Sequence, residues 1–177
     1  MACISKLENA IAYDCDTGAT GLVSALIINK ADIASYTVDT GGLGVSALTL
    51  IPGAKAFKID TVKRSLVVSS ALKINEGAPN AYSHSATIVY TGRPDMYLRK
   101  TMMAFTNGSF VILAKGVRGS AVVYGLYYGL SATSSDRSSH ENGGWATTVL
   151  STPDNVIGED TLVATDDVYN PLYAAAV

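Results

Sequence analysis

Charge is scarce in this chain, and so are the side chains that usually carry chemistry. Charged residues make up 16% of the 177 positions, against about a quarter in ordinary globular domains. The 13 basic and 15 acidic residues leave a formal net charge of −2. The basic ones are scattered (Lys55, Lys58, Lys63 and Arg64, then Arg93, Arg99 and Lys100). Neither a basic stripe nor a basic–aromatic alternation is present to hold nucleic acid. Cysteine occurs only as Cys3 and Cys15, with no histidine near either. The four paired ligands of a zinc site are therefore missing. Both read as free thiols, and a Cys3–Cys15 disulfide needs an oxidising setting.

Histidine is equally rare. His140 precedes Glu141 in "HEN", but the second histidine of a zinc-protease motif is absent. His84 sits between serines in "SHSATIVY" and reads as a polar position facing solvent or an interface. No G-x-S-x-G elbow occurs. "GGLGVS" has neither dinucleotide-loop spacing nor the Lys-Ser/Thr of a phosphate loop. The acids of "DCD", "GED" and "TDD" read as solvated turns and an acidic tail rather than a calcium site or a glycosidase pair. The expectation is a protein with no catalytic residue, metal or cofactor.

What the chain has in surplus is apolar surface. Hydrophobic residues reach 48% and mean hydropathy is +0.24. Yet no window holds about 18 uninterrupted apolar residues, so no membrane span is expected. The start, "MACISKLENAIAYDCD", lacks the basic and apolar blocks of a signal peptide. Either the chain packs a generous core as one domain, or it buries surface against copies of itself.

Most of the chain alternates as strands do. Runs at 22–28, 45–51, 65–75, 83–91 and 145–152 are bounded by Gly, Pro or Asn turns. "KAFKID" (55–60) is a weaker strand, 31–38 a strand or short helix, and 39–44 a glycine loop. One helix is expected at about 93–108, "RPDMYLRKTMMAFTNG". Pro94 suits its first turn and Asn107-Gly108 its end. Tyr97, Met102 or Met103, and Phe105 offer a packing stripe rather than a cofactor box. Residues 1–20 read as an N-terminal arm, and 153–177 as an acidic C-terminal arm able to lie on a neighbour. The polar, Ser-rich 131–144 reads as an exposed, mobile loop. No period of solenoid length appears.

The hairpin "SFVILAKGVRGSAVVYGLYYGL" (109–130) is apolar on both faces of both strands, where a half-buried hairpin would be polar on one. One helix covers one face at most, so a second layer is required. That layer is either a second sheet or a neighbouring subunit. Tyrosine suits such a boundary, since its ring buries while its hydroxyl stays hydrated. The candidate interface residues are Val123, Tyr124, Leu126, Tyr128 and Trp145.

The order of elements also resembles something known. A strand, a Pro-started helix, a Gly-closed hairpin, "GLYYGL", a polar loop, then "NGGWATTVLST" and Pro153 are similar to the C-terminal half of bacteriophage tail tube proteins. The resemblance is particularly to those of gut-bacterial phages, and more loosely to the related tube proteins of contractile injection systems. The likeness covers about residues 82–153 as a pattern of elements, without an invariant motif. It implies a mainly β fold, a β-sandwich or small barrel with one flanking helix, whose strands complete a barrel between subunits. It also implies hexameric rings stacked into a DNA conduit within the virion tail, assembled in the host cytoplasm. The partners implied are further copies and other tail proteins, with no membrane and with genome DNA only in passage. The family's long inter-ring loop has one candidate by position, 36–53. A sequence pI near 5.6 suits a channel that passes DNA without holding it. The alternatives are a neck, ring or capsid-decorating virion protein, or a carbohydrate- or protein-binding β-sandwich with Trp145 and tyrosines as its platform.

Overall fold

A computed structural model describes residues 21–59, 61, 65–91, 96–137 and 145–177. Eleven strands and two α-helices lie within them. The first half holds β1 (Leu22–Asn29), β2 (Ile33–Val38), β3 (Gly44–Leu50), β4 (Phe57–Ile59), β5 (Leu66–Lys73) and β6 (Ala81–Thr91). The second half holds α1 (Met96–Asn107), β7 (Ser109–Gly116), β8 (Ala121–Tyr124), β9 (Leu130–Arg137), β10 (Trp145–Ser151), β11 (Leu162–Ala164) and α2 (Asp166–Ala175). The chain is mainly β, with α1 on its flank.

Strand β7 is the hub. One of its edges pairs with β1 from end to end, from Leu22 opposite Gly116 to Asn29 opposite Phe110. Its other edge is shared. Ile112 to Ala114 pair with β8, while Ser109 and Phe110 pair with β9. The sheet therefore forks at Val111. One branch runs through β8, β11 and β3 to β2, and the other through β9, β10 and β6 to β5. All pairings are antiparallel except β3 with β11.

Two cores follow from this fork. Alternation sends Leu26, Ile28, Val111 and Leu113 to one side of β1 and β7, and Ala25, Ile27, Phe110, Ile112 and Ala114 to the other. The first set packs with Val45, Val123 and Leu162 beneath Val168, Tyr169 and Ala176 at the C-terminal end of the chain. The second set packs against Leu66, Ala86, Ile88 and Leu150 of the other branch. The two-faced hairpin is thus covered within one chain, by α2 on one side and the branch of β9, β10, β6 and β5 on the other. Helix α1 is not that cover. It joins the second core through Phe105, whose ring centre lies 5.4 Å from that of Phe110 and 5.7 Å from that of Tyr90. Met103 points outward. Pro94 and Tyr97 belong to stretches whose side chains lie outside the described residues.

Three expectations change. The run 121–130 is not one strand: it breaks after Tyr124 into a turn, because Gly125 and Gly129 take positive φ values of 79° and 78°. The polar loop expected at 131–144 begins as strand β9, paired with β10 from Ser131 opposite Ser151 to Arg137 opposite Ala146. Its alternate residues pack inward or hydrogen-bond across the ladder, as Ser135 does with Thr148; its remainder, 138–144, lies outside the described residues. The acidic arm expected at 153–177 contributes β11 and α2 to the first core, and its last residue exchanges backbone hydrogen bonds with Ala56 and Lys58. The N-terminal arm, residues 1–20, lies outside the described residues.

Candidate functional site

The second core ends in a polar cell. Leu66, Val68, Ser70 and Leu72 of β5 stand opposite Ile88, Ala86, His84 and Tyr82 of β6 without a register break. His84 therefore shares an inward face with Ala86 and Ile88, and it is completely buried. The solvent- or interface-facing position expected for it is wrong, since Tyr124 of β8, the turn at 125–129 and Glu159 cover it. Glu159, of the "GED" expected to be a solvated turn, is 4% exposed. Its backbone bridges Tyr82 in both directions, at 2.9 and 3.0 Å. Gly158 allows that approach: its φ is +98°, and a Cβ there would stand 2.8 Å from the Tyr82 carbonyl.

The two side chains meet. Glu159 Oε1 lies 3.6 Å from His84 Nδ1. Glu159 Oε2 accepts the Tyr127 amide at 2.7 Å. The Gly125 amide donates to His84 Nδ1 at 3.3 Å, which assigns the ring proton to Nε2, 3.4 Å from Thr161 Oγ1. The Tyr124 ring stands edge-on to the imidazole, centres 5.3 Å apart. Glu159 Oε1 alone accepts no hydrogen bond from the described residues.

Burial dominates the electrostatics. It pushes His84 down to about 4 and raises Glu159. The Tyr127 amide, the Lys30 ammonium and the Tyr128 and Gly125 amides oppose the Glu159 shift without reversing it. Lys30, in the 3-10 turn Lys30–Asp32, donates to the Leu126 carbonyl at 2.7 Å and is itself lowered by burial. Above the cell lies a shallow cavity of about 390 Å³. Tyr127, Tyr128, Ile157 and Asp160 contribute to its lining, together with Pro79 to Ala81. The arrangement can store a proton. Both side chains are covered, and Gly158 and Glu159 form part of the cavity wall.

The residues singled out from sequence scatter. Val123 and Leu126 are each 1% exposed, inside the first core, so they have no surface left for a second subunit. Tyr124 is half-buried against His84. Tyr128 is exposed at the cavity rim. Trp145 opens β10 opposite Thr91, with its side chain outside the described residues. Cys3, Cys15 and His140 also lie outside them. Among the described residues no cluster of three metal-ligating side chains occurs, and no helix is long and apolar enough to cross a membrane. The chain matches no protein-family model, no curated protein and no solved structure.

Proposed function

We propose that this chain is a virion structural protein that assembles with copies of itself, a tail tube subunit whose stacked hexameric rings conduct DNA. One observation carries the reading: the strand order ends in two open, nearly uncharged edges. Among the described residues nothing pairs with the outer side of β5 or of β2. Strand β5 is eight residues long, with Lys73 as its sole charge and no proline, and β2 has no charge at all. Monomeric proteins blunt such edges with charge, proline or a cover. Beside the β5 edge, Leu72, Ile74 and Tyr82 stand exposed, continuing the face that Leu66 and Ile88 bury. A neighbour's strand would pair the edge and cover this ledge together. Two unlike edges at opposite ends of one strand order suit head-to-tail contacts, which close into rings.

The reading includes no catalytic step, in keeping with a covered His84–Glu159 pair. A neck, ring or capsid-decorating protein would use the same edges. A binding β-sandwich is favoured by Tyr127 and Tyr128 at the cavity, and it predicts a monomer.

The test is mass by light scattering, with electron microscopy of the particles. Rings are expected from the natural sequence. The Val89 amide donates to the Ser65 carbonyl at 2.7 Å, so residues 66, 68, 70 and 72 turn their backbone groups outward. Ser70→Pro removes one outward donor and leaves the β6 ladder intact. It should yield folded monomers. A natural-sequence protein that stays monomeric at high concentration, or a Ser70→Pro variant with normal rings, overturns the edge assignment.

A further inference from the structure

We propose that His84 and Glu159 form a one-proton latch that fastens residues 157–161 and the turn at 125–129 to the start of β6, and that losing this proton or gaining a second loosens both. The proposal is independent of self-assembly. Its basis is geometric. Nδ1 already presents a lone pair, because it accepts from Gly125. A charged Oε1 would face that lone pair across 3.6 Å with no donor from the described residues. A proton on Oε1 removes that uncompensated charge and leaves the covered cell neutral. The same two residues join three pieces of chain: the Glu159 side chain holds the Tyr127 amide, His84 the Gly125 amide and Thr161, and the Glu159 backbone holds Tyr82.

Other titratable groups face the cell from each neighbouring element. Lys30 approaches from the 3-10 turn and favours an ionised Glu159. Tyr124 of β8 and Tyr127 of the turn are both raised by burial, so they stay neutral throughout. Asp160 acts on Tyr127 from the 157–161 segment, and Tyr36 does so from β2. None of them supplies a proton to Oε1.

The signs of the two shifts define the window. Glu159 is raised, so its share of the latch is complete below the ordinary carboxylate value of 4.5 and is lost as pH rises through its own higher value. His84 is lowered, so its share is complete above 6.5 and is lost as pH falls towards about 4. Rising pH strips Glu159 and falling pH charges His84. Either leaves a net charge in a covered cell and frees the corner that carries Ile157 and Tyr128.

Hydrogen exchange read by NMR on the full chain tests this. Protection at Tyr82, Gly125, Tyr127 and Glu159 is compared with that of Leu113 in the core, across pH, for the natural sequence and Glu159→Gln. The glutamine stays neutral at every pH. The protection ratio of natural protein to variant should therefore fall as pH rises from 4.5, by up to about tenfold per pH unit. A ratio that does not change with pH overturns the latch. Should the variant fail to fold, the carboxyl carbon of Glu159 in the natural protein decides alone. Titration above the ordinary carboxylate range supports the proposal, and ionisation at or below that range refutes it.

Discussion

Gly125 decides where β8 stops and where the sheet forks. Its φ of +79° is a region that side chains with a Cβ rarely enter. A Cβ there would also stand 2.7 Å from Leu130 Cγ and 3.0 Å from the Phe110 carbonyl. Gly119 has a similar φ, +83°, with nothing within 4 Å. Comparing alanine at the two sites separates strain from crowding. Gly119→Ala should cost about 1–2 kcal/mol from backbone conformation alone. Gly125→Ala adds overpacking, roughly 1–3 kcal/mol more. Urea midpoints check the order, and equal losses would show that the crowding relaxes freely. Both glycines of "VVYGLYYGL" were visible as breaks in a strand pattern, but the apolar alternation around them is strong enough to read straight through. His84 shows the same contest. Its face is legible from Ala86 and Ile88 at two-residue spacing, while the flanking serines, which belong to the opposite face, suggest exposure. Nothing local marks Glu159 as buried, because its cover comes from residues more than thirty positions away in sequence.

At the scale of elements, strands were the legible part, since period-2 alternation needs only local sequence. Helix α1 was legible by its closing Asn-Gly and apolar stripe. Helix α2 was missed although Val168, Leu172 and Ala176 recur every four residues, with Tyr169 and Tyr173 beside them. Pro171 lies inside the helix and reads as a breaker, and Asp166 and Asp167 read as a solvated tail. In the first turn of a helix those carboxylates instead favour the N-terminal dipole. Tyr169 shows what the helix is worth. It is 2% exposed, its hydroxyl donates to Ser24 Oγ at 2.7 Å, and Tyr173 stacks on its ring. Tyr169→Phe keeps the packing and loses one hydrogen bond, about 1 kcal/mol. Tyr169→Ala opens a cavity over β1 and β7 and should cost roughly 3–5 kcal/mol. Thermal or urea unfolding measures both. A Tyr169→Ala loss under about 1 kcal/mol would mean that α2 caps the core weakly, and that the first face of the hairpin is free for a partner.

For the whole molecule, the surplus of apolar residues turns out to be a poor argument for assembly, because the fork and α2 consume most of it internally. The edges are the better argument, and they make a sharper prediction than ring formation alone. Two arrangements are open to a chain with edges at β2 and β5: head-to-tail pairing of β5 with a neighbour's β2, or back-to-back pairing of like edges. Ser70→Pro blocks the β5 edge. Ala34→Lys with Thr37→Lys, both at exposed positions of β2, places charge on the other edge and blunts it. Under head-to-tail pairing each variant alone is monomeric, because a β5 edge meets only a blocked β2 and the reverse. Mixed in equal amounts, they should form dimers that stop at two copies, joined by the one sound β5 and the one sound β2. Back-to-back pairing gives the opposite pattern. Each variant then dimerises alone through its unblocked edge, and mixing adds nothing. Light scattering of the three samples distinguishes these outcomes, and only the first is compatible with a ring of head-to-tail contacts. Dimers that appear before mixing would remove the tube from consideration while leaving the fold untouched.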